Sequence, residues 1–320
     1  MWEVLETAKR VADRSQGVRI DESALRAFSD NMLKSRYQVP LWDTHYHFSG
    51  PGETMVSYLL VLDTLNYCFW PVSGQDKWQI EYENKMISGY YALAAALKKA
   101  LILGIPVTDA HYLAELSQDE LRRLLGGTGR LQLLGNRRNG LNELGHLLRD
   151  DFDGQACRLV EAAENSAVKL SRLLSRKLSS FQDVTEYGGH SVFFFKRAQI
   201  FAADLYGAFK GEAWGNFSDM DALTAFADYK LPQVLRHLGI LHYEKALAQK
   251  VDRQTCLDSG SPEEVEIRAN TVWAVELIRR ELLQAGHHLS AFEIDWILWN
   301  LGQKEAFRLK PHHRTVTIFY

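Results

Sequence analysis

Asp228 stands in an apolar segment immediately ahead of a predicted helix, between Phe226 and Tyr229. Pro232 follows where the first turn of a helix tolerates proline. From the spacing alone, the favoured role is a capping carboxylate, which accepts hydrogen bonds from the free amides of a helix start. A carboxylate held there could also stabilise a cation that forms above it during a reaction.

An aromatic segment, LNYCFWP, covers residues 65–71. It holds three aromatic side chains in four positions, including Phe69 and Trp70, beside the amide of Asn66 and downstream of Asp63. Aromatic residues at such density often belong to a hydrophobic core. Alternatively, they could form a stacking wall for a flat heterocycle, with Asn66 hydrogen-bonded to its edge.

Two basic residues, Lys196 and Arg197, follow the apolar run VFFF. On a helix, Lys196 shares a face with Gln199. Arg197 shares another face with Ile200 and Asp204, so the two cations are poorly placed to bind one small anion. The simplest interpretation leaves both as solvated charges, with Arg197 leaning toward Asp204. Lys196 begins the predicted helix and is the better candidate for phosphate, because helix N-termini attract anions.

The motif DTHYH at residues 43–47 alternates a carboxylate with two imidazoles. On a strand, Asp43, His45 and His47 would share one face, as in the HxH motif of metal-dependent amidohydrolases. That chemistry needs further ligands on later barrel strands, and this sequence lacks the pattern of a barrel. We therefore predict a pair of surface or pocket histidines and no metal site.

Helical periodicity dominates the elements that must position these residues. Apolar stripes predict helices around Val4–Val11 and Leu25–Met32, and Ser117 with Glu120 has the spacing of a capping box. Further helices are predicted over residues 90–103, 141–148, 157–174, 194–209, 234–238, 263–285 and 291–301.

Strand signals are few, at residues 43–47, 78–82 and 315–320, and residues 126–140 have the composition of a short loop. Because these strands do not alternate regularly with helices, a parallel α/β sheet is disfavoured. The sequence therefore predicts an all-α fold with a minor β element, in one domain over residues 1–320.

The composition is that of a folded chain without a bias toward polyanions. The 320 residues are 46% hydrophobic and 24% charged, which excludes a disordered or low-complexity protein. The net charge of −3 gives no support to binding long nucleic acid, which usually requires a basic excess. Three widely spaced cysteines, a charged first segment unlike a signal peptide and no apolar run of membrane length predict a cytoplasmic protein.

The whole chain resembles the queuosine salvage proteins, the queuosine 5′-phosphate N-glycosylase/hydrolase family. The resemblance rests on LNYCFWP, on FFFKRAQIFAADLY and on FADYKLPQVLRHLGILHYEKAL. The amino-terminal third matches least well. The similarity continues through residues 88–90, 104–108, 164–167, 183–185, 264–268, 294–296, 313–314 and 319–320.

The resemblance implies a helical fold related to helix-hairpin-helix DNA glycosylases. It also implies hydrolysis of queuosine 5′-monophosphate to queuine and ribose 5-phosphate, without a cofactor, so that the base can be reused for tRNA modification. The family's catalytic aspartate falls on Asp228, and its phosphate-contacting lysine falls on Lys196. The family's pocket histidine falls on His45 or His47, and the spacing to Pro51 favours His47.

This chemistry suits the residues described above. Breaking an N-glycosidic bond builds positive charge on the ribose, and Asp228 could stabilise that charge, act as a transient nucleophile or orient water. Queuine is a 7-deazaguanine, so its departure must be assisted at edges other than N7. Candidates for binding the base by hydrogen bonds or stacking are Asn66, Asp63, Phe69, Trp70 and Tyr229.

The remaining substrate contacts follow from the charges of the nucleotide. Asp295 is the candidate for the cationic amine of queuine, and Lys196 with His47 for the 5′-phosphate. The expected partners are thus a small nucleotide and its base, with no stable nucleic acid and no membrane, and the sequence carries no signal of an oligomeric state. Two alternatives stay open, a nucleic-acid base glycosylase and a non-catalytic queuine-binding protein in which Asp228 only caps its helix.

Overall fold

The computed structural model describes residues 2–35, 37–72 and 74–320, and within these ranges the chain forms fourteen α-helices and six short strands. This confirms the predicted mainly helical fold with a minor β element. The helices are α1 (Glu3–Ala12), α2 (Glu22–Ser35), α3 (Gly52–Thr64), α4 (Tyr90–Ile102), α5 (Ala110–Glu115), α6 (Gln118–Leu125), α7 (Leu134–Asp151), α8 (Ala156–Glu161), α9 (Ala167–Lys177), α10 (Lys196–Phe209), α11 (Lys230–His237), α12 (Lys245–Asp252), α13 (Pro262–Gln284) and α14 (Ala291–Leu301). None of these helices is both long and apolar enough to span a membrane.

The strands form three separate antiparallel ribbons that pair β1 with β6, β2 with β3 and β4 with β5. The β4–β5 turn is Gly188-Gly189, where both residues have positive φ angles of 57° and 77°, as a tight hairpin requires. The β2–β3 ribbon confirms the strand predicted at residues 78–82. The strands are β1 (Val18–Ile20), β2 (Gln79–Tyr82), β3 (Lys85–Ser88), β4 (Val184–Tyr187), β5 (His190–Phe193) and β6 (Leu241–Tyr243).

Helix α13 runs through the interior and packs against α1, α2, α11 and α14. It begins at Pro262, after Ser261, whose hydroxyl accepts a hydrogen bond from the Glu264 amide. Because this helix is buried on several sides, some of its polar residues also face the interior, and Arg268 is only 2% exposed. A buried guanidinium needs polar partners, and those partners lie beside the functional site.

Helix α10 packs against α3 and α9 and begins at Lys196. The preceding Phe195 has a left-handed φ of 47°, which is unfavourable for a residue with a Cβ. Asp183 compensates for this conformation, because its carbonyl accepts hydrogen bonds from the amides of Phe194 and Phe195 at 3.0 and 3.3 Å. Its carboxylate accepts a third, from the Lys196 amide at 3.1 Å.

Two predicted strands are wrong. Residues 44–47 form a turn, because the Asp43 carboxylate accepts a hydrogen bond from the His45 amide at 2.7 Å and bends the chain. Residues 315–320 stay outside the ribbons. Their alternation reflects one-sided burial, since Thr315 and Thr317 are buried whereas Val316 is 43% exposed.

Two predicted boundaries also change. The helix expected over residues 157–174 is divided into α8 and α9 by Glu164 and Asn165, which both have positive φ angles. The predicted loop at 126–140 is instead helical from Leu134. Gly145 of this helix is a packing glycine, since a Cβ there would lie 2.3 Å from the backbone nitrogen of Ala114.

Candidate functional site

A cavity of about 480 Å³ lies between α4, α10, α11, α14 and the aromatic segment. Helix starts and loops supply most of its polar groups, so the helical core fixes where they point. All the predicted site residues except Asp63 line this cavity. They are His47, Asn66, Phe69, Trp70, Lys196, Asp228, Tyr229 and Asp295.

Asp228 both caps a helix and lines the cavity. Its Oδ1 accepts hydrogen bonds from the amides of Lys230 and Leu231 at 2.7 and 2.9 Å, so it caps the start of α11. Its side chain also lines the cavity, although the residue is only 8% exposed. Burial raises the pKa of Asp228, and the nearby Lys196 ammonium, the two amides and the Lys230 ammonium oppose that rise.

Lys196 is buried in the cavity wall at 5% exposure, so its interpretation as a solvated charge is wrong. Its ammonium lies within electrostatic range of Asp228, Asp63 and Asp295. Burial lowers the pKa of Lys196, whereas these carboxylates raise it. The lysine is therefore part of a compensated cluster of buried charges.

The face of α10 that meets the cavity carries Lys196, Ile200 and Asp204, each separated from the next by four residues. Arg197 does not line the cavity. Its guanidinium is buried, so its interpretation as a solvated charge is wrong, and it donates to the carbonyls of Asp63 and Thr64, both at 2.8 Å, rather than leaning toward Asp204.

A second buried arginine, Arg137, holds the aromatic segment in place. Its guanidinium donates to the carbonyls of Leu65 and Tyr67, and also to that of Gln132 at 3.0 Å. The Tyr67 ring lies 4.2 Å from the Arg137 guanidinium and 4.9 Å from that of Arg197. The two cations thus fix the backbone that presents the aromatic residues to the cavity.

Asp295 and Asp63 differ in their access to the cavity. Asp295 lines it, and its Oδ2 accepts a hydrogen bond from the Phe226 amide at 2.7 Å. Asp63 is fully buried behind the wall, 3.5 Å from the amide nitrogen of Asn66. The last turn of α3 directs Asp63 into the core, so the structure places this predicted site residue outside the lining of the cavity. Burial raises the pKa of both aspartates well above the usual range.

Of the two histidines, His47 lies in the cavity wall at 3% exposure. His45 is exposed, and its ring lies 3.7 Å from Glu83. The Nδ1 of His47 lies 2.6 Å from the Asp43 carbonyl, which assigns a proton to that nitrogen, and its Nε2 lies 2.8 Å from the Tyr90 hydroxyl. Among the described residues, no three His, Cys, Asp or Glu side chains form a set of metal ligands.

The hydrogen-bond contacts of His47 continue through Tyr90 to Asp204. Neither of these two residues was predicted as a site residue. The Tyr90 hydroxyl lies 3.2 Å from Asp204 Oδ2, so its single proton is placed between two acceptors. Burial raises the pKa of Asp204 to about 7. A protonated Asp204 would let Tyr90 donate to His47 and accept from the carboxyl. The signal that could have identified Asp204 is its position eight residues, or two four-residue steps, after Lys196.

The ion pair of Asp183 and Arg268 connects Lys196 with Asp228. Arg268 donates to both carboxylate oxygens of Asp183, at 2.9 and 2.6 Å, and its Nε donates to the Ala227 carbonyl at 3.0 Å. Asp183 also accepts the Lys196 amide. A single buried pair therefore positions the start of α10 and the residue before Asp228.

We expect Asp183→Asn to destabilise the fold by about 3 kcal/mol or more, because it leaves the Arg268 charge buried with a weakened partner. Chemical denaturation measures this. The control is Asp13→Asn, which removes a surface ion pair with Lys9 and should cost less than about 1 kcal/mol. Equal losses in the two variants would contradict a central role for the pair.

We expect Asp204→Asn to flatten the pH dependence of stability. The native carboxyl keeps its proton up to a pKa of about 7, whereas the ordinary value is 3.8. Its contribution is therefore complete below the ordinary value and is lost as pH rises through the native one. Urea unfolding of both proteins from pH 4 to pH 8 tests this, and parallel curves would show that Asp204 is not the titrating group.

Comparison with known proteins gives one consistent result. A family model described as queuosine salvage protein matches residues 45–320. A protein of Sphaerobacter thermophilus named queuosine 5′-phosphate N-glycosylase/hydrolase is 46% identical over 317 residues, which cover 99% of this chain and 97% of the relative. Relatives with the same name from Dictyostelium discoideum and Bos taurus are 37% and 35% identical over 98% or more of each chain.

Proposed function

From the premise that this chain belongs to the queuosine salvage protein family, we propose that it hydrolyses queuosine 5′-monophosphate to queuine and ribose 5-phosphate. The names of its relatives support the substrate and the reaction. The observation that carries the proposal is the position of Asp228, a buried carboxylate fixed by two amides in the wall of a cavity of about 480 Å³. That volume is in the range of small-molecule sites.

In the proposed reaction, the bond between C1′ of the ribose and the base nitrogen breaks, and the electron pair leaves with the base. Water adds its oxygen to C1′ and supplies the proton that the base gains. Asp228 stabilises the positive charge that develops on the ribose ring. Its Oδ1 is held by the α11 amides, so the carboxylate needs little reorganisation as the charge forms. The scheme balances with water alone and needs no cofactor.

The base would lie against the aromatic wall. Phe69, Trp70 and Tyr229 offer ring faces for stacking, and Asn66 offers an amide to the edge of the base, with Asp63 acting through it. The cationic amine of queuine would favour the ionised form of Asp295 and so oppose the rise in the pKa of that carboxyl that burial causes. His47 and Lys196 complete the proposed substrate-binding set.

We also propose that residues 1–320 act as one domain in the cytoplasm, related to helix-hairpin-helix DNA glycosylases. Support for one domain is that the cavity walls come from positions as distant as Trp42 and Tyr320. The mainly helical architecture supports the relationship. The free cysteines Cys68, Cys157 and Cys256 are typical of a reducing compartment.

Asp228→Asn tests the role of the carboxylate. The amide keeps an oxygen that can cap α11 but removes the charge, so base release should fall by about a hundredfold or more while queuine binding persists. Single-turnover assays of free base and calorimetry with queuine measure the two effects. The matched control is Asp109→Asn, which alters the cap of α5 and should leave activity unchanged. Base release near the wild-type rate in Asp228→Asn would refute the assignment.

Lys196→Met tests the electrostatic coupling in the site. Because the Lys196 ammonium lowers the pKa of Asp228, its removal should raise that pKa. Activity that needs ionised Asp228 falls as pH drops through this pKa, so the acid limb of kcat/KM should move to higher pH. An acid limb at the wild-type position would show that Lys196 does not tune Asp228.

A further inference from the structure

Both ring nitrogens of His47 have hydrogen-bond partners within the protein, although the residue lines the cavity. A backbone carbonyl can only accept, so the contact of Nδ1 with the Asp43 carbonyl at 2.6 Å requires a proton on Nδ1. Nε2 lies 2.8 Å from the Tyr90 hydroxyl. This second contact can form in two ways, because a neutral ring accepts the Tyr90 proton, whereas an imidazolium donates to the Tyr90 oxygen.

The Tyr90 hydroxyl has one proton and two neighbours that can accept it. Its oxygen lies 3.2 Å from Asp204 Oδ2 and 2.8 Å from Nε2 of His47. An ionised Asp204 only accepts, so it would draw the Tyr90 proton away from His47. A protonated Asp204 can donate to the Tyr90 oxygen, which leaves the Tyr90 proton for His47. The protonation of Asp204 therefore decides the direction in which this chain of hydrogen bonds runs.

The surroundings of Asp204 favour the protonated carboxyl. Asp204 is 5% exposed, and burial raises its pKa to about 7, although the Tyr90 hydroxyl and the Lys196 ammonium oppose that rise. An ionised Asp204 would also raise the pKa values of the buried carboxyl groups of Asp63 and Asp295. The titratable groups that face Asp204 are Tyr58 and Asp63 of α3, Tyr90 of α4, Lys196 of α10 and Asp295 of α14.

The surroundings of His47 favour the neutral ring. Burial lowers its pKa and the Lys98 ammonium adds to that effect, whereas the carbonyl and the carboxylate of Asp43 oppose it. The Trp42 ring packs against the imidazole, with the two ring centroids 4.4 Å apart. A neutral His47 with its proton on Nδ1 needs a donor at Nε2, and Tyr90 supplies that donor only while Asp204 does not compete for its proton.

We propose that Asp204, acting through the Tyr90 hydroxyl, is a positioning residue that holds His47 as a neutral imidazole with its proton on Nδ1. Three donations then run in one direction, from the Asp204 carboxyl to Tyr90, from Tyr90 to Nε2 of His47 and from Nδ1 to the Asp43 carbonyl. Loss of the Asp204 proton turns the Tyr90 hydroxyl toward the carboxylate and leaves Nε2 without its donor. This inference rests on the proposed function, because His47 belongs to the proposed substrate-binding set.

The first test is the alkaline limb of activity. As pH rises through the Asp204 pKa of about 7, kcat/KM for queuosine 5′-monophosphate should fall by about tenfold between pH 6 and pH 9, the loss of one buried hydrogen bond. The amide of Asp204→Asn can still donate to the Tyr90 oxygen and does not titrate, so this variant should lose that fall. The control is Asp21→Asn, which replaces a carboxylate 3.7 Å from His242, outside the cavity wall, and should keep the wild-type profile.

Tyr90→Phe tests the link between the two residues. It leaves Nε2 of His47 without a donor, so kcat/KM at pH 6 should fall by about tenfold. At pH 9, Asp204→Asn should be about tenfold more active than wild type, but it should give no such gain in the Tyr90→Phe background. The same gain in both backgrounds, or an unchanged alkaline limb in Asp204→Asn, would overturn the proposal.

The state of His47 can also be measured without turnover. In protein with isotope-labelled histidine, long-range nitrogen–proton correlation spectra distinguish protonated from unprotonated ring nitrogens, and His47→Gln identifies the His47 signals by their loss. The Nε2 signal should move between pH 6 and pH 9 in the wild type and stay nearly constant in Asp204→Asn and Tyr90→Phe. Equal movement in all three proteins would overturn the proposal. If the Nε2 signal behaves as expected but the wild type releases no base from queuosine 5′-monophosphate, the proposed function fails while the control of His47 by Asp204 is supported.

Discussion

The buried ion pair between Asp183 and Arg268 is the interaction on which the cavity depends. It joins the first residue of α10 to the segment before α11, and these are the two places where Lys196 and Asp228 enter the cavity wall. A pair of this kind is stable only when its remaining hydrogen-bonding groups are satisfied, and here backbone amides and carbonyls satisfy them. The relative position of Lys196 and Asp228 is thus set by the core.

The lining of the cavity combines acidic and basic groups around Asp228. Burial raises the pKa of Asp204 to about 7 and that of Asp295 well above its usual range, and the basic side chains of Lys77, Lys230, Arg308 and Arg314 line the same cavity. Because these buried carboxyl groups titrate at a higher pH than free ones, the charge of the lining depends on pH.

Sequence patterns predicted the helical class, the start of α10 and the aromatic segment, because each depends on local spacing. These patterns did not show whether Asp228 caps a helix or lines a cavity, because a residue just before a helix can do either. Tyr90 and Asp204 are far apart along the chain and meet through a hydrogen bond between their side chains, which no local pattern records. Asp63 was predicted with the ligand-binding residues because it lies close to Asn66 along the chain. Proximity in sequence does not determine the direction in which a side chain at the end of α3 points.

The buried guanidinium groups of Arg137 and Arg197 hold backbone carbonyls rather than carboxylates. Carbonyl oxygens do not titrate, and guanidinium groups keep their proton across the physiological range. These clamps therefore keep the same charge while Asp204 gains or loses a proton. Acidification or alkalinisation changes the electrostatic lining of the cavity, while the frame that carries the aromatic wall keeps its geometry.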